Sequence, residues 1–384
     1  MRPGFKGEVV VVGGGLAGAS AACILAEASR PVLVIERDAT AREKVCGEFL
    51  SIEAQTYLTY LGIGLDALGA SRISRLRLVR KSNRIEVGLP FVARGLSRRV
   101  LDEALLRKAE ACGSRILRGL AVRSISTDHT HIAIDMGPRG SFAADSVFLA
   151  TGKHDVRGEK RPTADAMNDL IGFKMHYRLA PRERQTLDGA VEVILFRGGY
   201  AGLQLVEQGI ANLCLAVSRQ SFERVGKSWG SLLDSIVDEC PHLGGRLLGA
   251  QPLFERPLSI FQIPYGFLHA SDRQEPQGLF RLGDQVGVIP SFTGEGMSIA
   301  LHSGCLAASI FLDHGRAASI FHQRVKSDIR RSIRLATALN QTVRHAAGQQ
   351  VVFHLSRLWP AAMRHVATLT RVREEAMNSV LFAP

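Results

Sequence analysis

Three glycines, Gly13, Gly15 and Gly18, followed eighteen residues after the last by Glu36, have the types and spacing to hold a dinucleotide. Missing side chains let the chain turn tightly and bring backbone N–H groups against a pyrophosphate at a helix N-terminus; an acid ending the next strand can accept the hydroxyls of an adenosine ribose. That chemistry needs a strand, a helix and a second strand around it. Val9 to Val12 is a β-branched run, the alanine-rich segment to Glu27 reads as a helix with Leu16, Ala17 and Gly18 in its first turn, and Pro31 to Ile35 reads as the second strand, with Glu36 and Arg37 at its end. From Val9 to Ala26 the chain also runs eighteen residues without a charge, so a membrane anchor and a signal peptide are the competing readings. The run Gly13-Gly14-Gly15 interrupts either one, and the nucleotide site is preferred. No second Gly-x-Gly-x-x-Gly follows a strand, so one dinucleotide is expected.

The rest of the chain sets bounds on the function class. Its 384 residues, 46% hydrophobic and 22% charged, suffice for a large core in two domains or one interleaved one. The net charge of +12 points to an anionic ligand, an acidic membrane surface or nucleic acid. Nucleic acid is the least supported, because aromatics make up only 6% and the arginines are not interleaved with them. The six cysteines have neither disulfide-framework nor zinc spacing, which fits reduced thiols in a cytosol and no metal site.

A second segment decides which dinucleotide. GDQVGVIPSFTGEGMSIA, Gly283 to Ala300, follows an apolar strand with Gly283-Asp284, passes a loop containing Pro290, and opens a long apolar helix at Gly294-x-Gly296-Met297. This resembles the second flavin motif of FAD-dependent oxidoreductases of the para-hydroxybenzoate hydroxylase and geranylgeranyl reductase superfamily. The resemblance implies that Asp284 meets the ribityl chain and that the glycine turn faces the pyrimidine end of the isoalloxazine, where a helix N-terminus stabilises the negative charge of reduced flavin. Three further segments fit in order. Arg42 to Ser51 resembles the stretch whose Cys46-Gly47 reaches the isoalloxazine; Gly95 to Leu105 resembles the helix opened by an FAD-contacting arginine, Arg98 in preference to Arg99; Ser146 to Asp155 stands where hydroxylases carry Asp-Gly, replaced here by Thr151-Gly152.

The implied fold is α/β, a Rossmann-type, glutathione-reductase-like FAD-binding domain with an inserted mixed β-sheet substrate domain and a helical C-terminal tail. The FAD domain is expected to be discontinuous, over 1–71, 96–165 and 271–320; the substrate domain takes 72–95 and 166–270, and the tail 321–384. From Arg324 to Arg373 the tail has ten Lys/Arg and one acid, Asp328, with Val351, Leu355 and Leu358 at helical spacing. It reads either as a helical cap with solvated arginines or as a basic amphipathic surface for peripheral association with the inner face of a membrane, in an otherwise cytoplasmic protein.

The implied chemistry is oxidoreduction by FAD, with NAD(P)H as reductant and a hydrophobic small-molecule substrate such as a polyketide, phenolic lipid or isoprenoid. Hydroxylation through a flavin hydroperoxide is preferred; reduction of a carbon–carbon double bond is the alternative, and a non-catalytic flavin-binding protein the alternative of another class. Halogenation is disfavoured, because the only tryptophans are Trp229 and Trp359. A base or proton donor should face the flavin. Tyr200, His176 and His154 are candidate bases, with a satisfied structural histidine the competing reading for each imidazole. Cys46 could line the pocket or donate a proton, or be merely small and apolar. Glu48 reads as a proton donor or a capping acid, and Lys174 as an exposed strand lysine or a contact to an anionic substrate.

Overall fold

The computed structural model describes residues 9–127, 131–162, 169–270 and 276–381. Glu8, residues 165 and 166 and residue 271, where two of the expected domain boundaries fall, lie outside the described residues.

The uncharged N-terminal run is a strand, Val9–Val12, and a helix, Leu16–Glu27, both buried. The strand is central in a five-stranded parallel sheet, flanked by Val32–Glu36 and Arg115–Arg118 on one side and by Ser146–Leu149 and Leu279–Arg281 on the other. Strands buried on both faces read as unbroken apolar runs rather than alternations, which explains the Val9–Val12 composition. The fold class is therefore the expected one, a Rossmann-type α/β core, and its fifth strand comes from far along the chain.

Gly18 sets how closely helix and strand pack. A Cβ there would collide with the Gly13 carbonyl oxygen and lie 2.9 Å from Val11 Cγ1 and 3.1 Å from Ala150 Cβ. The helix Gly296–His314 covers the same side of the sheet and packs against Leu16–Glu27. It is long and apolar enough to cross a membrane, but 61% of its most apolar window is buried in the fold. It is tied on both sides by a polar chain in the core: Tyr57 OH bonds His302 Nδ1 (2.7 Å), and His302 Nε2 bonds Asp328 Oδ2 (3.1 Å).

A second, mixed sheet stands beside this core. Its order runs Leu170–Arg178, Ala211–Ser218, Gly199–Leu205, Gly189–Phe196, Ser71–Arg80, Asn83–Gly95 and Phe49–Leu50, with Gln251–Pro252 and Leu258–Ile260 on the far edge. All pairings are antiparallel except Gly189–Phe196 with Ser71–Arg80, the crossover that makes the sheet mixed. A small antiparallel sheet, Ser124–Thr127, Ile132–Asp135 and Ser141–Ala144, was not anticipated. Beyond it, helices Ala318–Val343, Ala346–Leu358, Ala361–Leu369 and Glu374–Leu381 form the C-terminal region.

Gly18→Ala is expected to lose about 3 kcal/mol of unfolding free energy, because backbone and β-branched neighbours cannot yield to a methyl group. Denaturant titration checks this; a loss below about 0.5 kcal/mol would mean that the helix does not need this approach.

Candidate functional site

At the first glycine turn, Gly13 has φ +106°, a range that favours glycine, and a Cβ there would press on the Ala150 backbone. Gly15 is different. It begins the helix, and a Cβ would find nothing nearer than Arg98 Nη2 and Lys44 Nζ, each at 3.7 Å, so the backbone here borders open space beside two cations. Asp102 holds both: it pairs with Arg98 through two bonds (2.7 and 2.9 Å) and accepts from Lys44 Nζ (2.7 Å). Two cations on one acid leave a net positive charge next to a helix N-terminus, the combination an anionic pyrophosphate needs. Glu36 braces the turn as well, accepting from the Gly14 N–H (2.6 Å) and the Asp38 N–H (2.9 Å). Each of its oxygens keeps a lone pair for a ribose hydroxyl.

The second turn converges on the first because its strand, Leu279–Arg281, is in the same sheet. The Gly283 N–H donates to Ser303 Oγ (2.8 Å), and the Asp284 carboxylate faces Lys153 Nζ at 3.4 Å. Gln285 ties this turn to the segment after Ser146–Leu149, donating to the carbonyls of Gly152 (2.8 Å) and His154 (3.0 Å). Gly294 has φ +74° and lies against the Phe49 ring, and Gly296 opens the long helix.

Both turns border one cavity of about 610 Å³. Gly13, Gly15, Leu16, Ala17, Glu36, Arg37, Cys46, Gly47, Arg98, Thr151, Gly152, Gly283, Asp284, Gly294, Gly296 and Met297 all line it. Gly18 and Pro290 do not; Gly18 packs helix on strand, and Pro290 precedes the Ser291–Thr293 turn. The other end of the cavity is apolar, with Leu215, Leu258, Ile260, Ile263 and Val288. Donors and a positive surface at one end and an apolar wall at the other fit a flavin dinucleotide and a hydrophobic reactant.

The three expected catalytic residues are placed differently from one another. Cys46 lines the cavity, its carbonyl and that of Gly47 fixed by Asn212 Nδ2 (3.1 and 2.9 Å). Tyr200 does not line it: its hydroxyl, buried so that its pKa rises well above the usual tyrosine value, bonds Ser291 Oγ at 2.7 Å. Tyr265, unmarked by any sequence pattern, reaches the cavity wall and donates to the same serine (2.8 Å); burial pushes its pKa up to about 12. His176 also sits behind the wall, bonding Glu48 Oε2 (2.8 Å) and lying against Phe254. His154 lines the cavity, with its pKa lowered by burial and by Arg37 and Lys153.

Lys174 corrects the reading of an exposed strand residue, since its side chain is fully buried. Its ammonium donates to Glu43 Oε2 (2.8 Å) and to Glu48 Oε1. Glu43, Glu48 and His176 bring ligand atoms within 4.8 Å of one another, but Lys174 already supplies a cation to both carboxylates. The available signal was period two: Gly172, Lys174 and His176 alternate with Phe173, Met175 and Tyr177, so the polar set shares one face.

Residues 11–58 match the model of an NAD(P)-binding Rossmann-like domain. The chain is 29% identical over 321 residues to a menaquinone reductase of Mycobacterium tuberculosis, covering 79% of this chain and 76% of that protein. It is 34% identical over 86 residues to mouse squalene monooxygenase, 22% of this chain and 15% of that one. Among solved structures it resembles the halogenase PltM in complex with phloroglucinol and FAD, with TM-score 0.74 and 15% identity over 98% of this chain and 90% of the other. At that identity the likeness shows the fold alone, and neither Trp229 nor Trp359 lines the cavity here. The chain is an FAD-dependent oxidoreductase with a Rossmann-type cofactor domain.

Gly15→Ala is expected to weaken FAD binding at least about tenfold, because the methyl group enters the space a phosphate would take, while the stability of the FAD-free protein changes by less than about 0.5 kcal/mol. Flavin fluorescence titration and denaturant melts check the two halves; unchanged affinity would remove the pyrophosphate from this turn.

Proposed function

We propose that this chain uses FAD to reduce a lipid-soluble acceptor of the quinone or isoprenoid class, working against the surface of an anionic membrane. The residues that would hold the cofactor are Gly13, Gly15, Glu36 and Arg98 for its adenosine and phosphates, and Asp284, Gly294 and Gly296 with Cys46-Gly47 for its ribityl chain and ring. Bound FAD would supply two-electron chemistry, taking electrons from NAD(P)H and passing them to the acceptor. The protein's own contribution is the apolar wall, which excludes water and admits a hydrophobic molecule.

The observation that carries this reading is an exposed apolar stripe beside the apolar end of the cavity. The wall residues Ile260, Ile263, Tyr265 and Val288 share a hydrophobic cluster with Val343, Val352, Phe353 and Met363 of the C-terminal helices. On the outer face of those helices Val351, Leu355 and Leu358, spaced one helical stripe apart, are exposed together with Trp359, Val366 and Leu369. Arg357, Arg364 and Arg373 are exposed among them, and no acid occurs between Asp328 and Glu374. Exposed apolar residues at helical spacing with arginines among them suit anionic lipid. The likeness to a menaquinone reductase over most of the chain supports reduction over hydroxylation. Hydroxylation keeps the support of the squalene monooxygenase likeness, confined to 86 residues.

Anaerobic mixing of the FAD-reduced protein with liposomes carrying a prenylated naphthoquinone tests this. Flavin reoxidation is expected to be about tenfold faster with anionic than with zwitterionic lipid, and the double substitution Leu355→Asp/Leu358→Asp should abolish the difference. Reoxidation by oxygen with a hydroxylated product and no reaction with the quinone would overturn the reading in favour of a monooxygenase.

A further inference from the structure

Glu43, Glu48, Lys174 and His176 make a cluster of four titratable groups at the cavity wall, and neither the glycine turns nor the apolar end accounts for it. Glu43 and Glu48 border the cavity; Lys174 and His176 stand behind them on the strand Leu170–Arg178. Glu48 is wholly buried and has φ +59°, a conformation that costs a non-glycine residue energy and recurs at functional sites. Its carboxylate accepts from three donors, Lys174 Nζ, the Arg98 N–H (2.8 Å) and, when that nitrogen carries the proton, His176 Nε2 (2.8 Å). Its carbonyl accepts from Gln204 Nε2 (2.8 Å). A loop of the FAD-binding core is thus bolted to the second sheet through a carboxylate.

The charges of the buried groups do not cancel. Two carboxylates and one ammonium leave a net charge of −1 when the imidazole is neutral, so the cluster can take one proton and become neutral. Burial works against the Lys174 ammonium, but Glu48 and Glu43 outweigh it and hold its pKa above the ordinary lysine value. Burial likewise works against the Glu43 carboxylate, and Lys174 outweighs it and holds its pKa below the usual range. Both therefore stay charged, and the place the geometry leaves for one more proton is the buried Glu48–His176 contact (2.8 Å). The other groups facing the cluster leave this count unchanged. Arg99, 3.2 Å from Glu43, is half exposed and screened by solvent; the Cys214 thiol, pushed up to about 12 by burial, stays neutral; the Cys46 sulfur accepts from the Glu48 N–H (3.4 Å); and Phe254 covers the outer side of His176. Arg98 and Lys44 are engaged by Asp102.

We propose that the Glu48–His176 pair, set in charge by Lys174 and Glu43, stores the proton that accompanies electron uptake at the cavity. The balance is simple. An acceptor reduced across one double bond gains two electrons and two hydrogens; bound FAD would supply the electrons with one of the hydrogens, and the other must come as a proton from the protein. The Glu48–His176 pair gives up its stored proton to balance that step, and a replacement enters from solvent past Glu43, whose side chain is the partly exposed member. Electron uptake at the cofactor favours storage because negative charge accumulates beside the cluster.

The midpoint potential of FAD bound to the full chain, measured against pH from about 6 to 8.5, tests the proposal without needing a substrate. The wild-type slope is expected to correspond to about two protons per two electrons, and Glu48→Gln and His176→Gln each to about one. Should Glu48→Gln disturb folding, His176→Gln leaves the Lys174 contacts in place. A wild-type slope of one proton, or the same slope in wild type and both variants, would overturn the store. Reoxidation by menadione should also slow about a hundredfold in Glu48→Gln. Failure of menadione to reoxidise the wild type counts against the quinone reading alone, since the potential measurement decides the proton store separately.

Discussion

The structure depends on one steric constraint, the approach of bare backbone to a phosphate and to a neighbouring strand at the same turn. Gly13 must tolerate a positive φ, Gly15 must leave its front clear, and Gly18 must leave its back clear against Gly13 and Val11. Each of the three glycines has a separate reason, and only one of those reasons concerns the ligand. Around this turn the parallel sheet does the rest, because placing Leu279–Arg281 beside Ser146–Leu149 delivers Gly283-Asp284 to the same cavity across most of the chain length. Convergence of two distant turns follows from sheet order and needs no long-range adjustment of the loops.

The two sheets meet through the loop from Glu43 to Glu48. Backbone carbonyls of Cys46, Gly47 and Glu48 are held by Asn212 and Gln204, and the carboxylates by Lys174 and His176. Breaking one partner of such a buried set leaves an uncompensated charge, so the cluster fixes the relation between cofactor and substrate sheet as much as it tunes charge. The same loop puts Cys46 at the cavity, where its side chain meets the Arg98 guanidinium and the Glu48 N–H.

What could be read from the sequence was the part in which chemistry dictates residue type at fixed spacing. Gly13, Gly15 and Glu36 follow from the spacing a dinucleotide turn needs, Arg98 and the Gly283-Asp284 turn were implied by the family resemblance, and the alternation of β-branched runs with alanine-rich helices revealed the Rossmann core. The catalytic wall was harder because period two reveals which face of a strand a residue takes, but not how far that face stands from a cavity. Tyr200 and His176 share the polar-facing side of their strands yet end one residue short, with Ser291 and Glu48 between them and the lining. Lys174 reads as a surface lysine because its two carboxylate partners come from a loop 126 and 131 residues earlier, a pairing no local pattern encodes. Tyr265 lies in an irregular segment with no periodicity at all.

Competition at the two ends of the cavity addresses the central claim most directly. With the FAD-free protein, FAD titration followed by flavin fluorescence should give one site per chain, with AMP displacing the adenosine end and riboflavin occupying the other end independently, so that AMP and riboflavin bind together. A protein that takes no FAD, or on which AMP and riboflavin exclude each other, would contradict the convergence of the two turns on one cofactor.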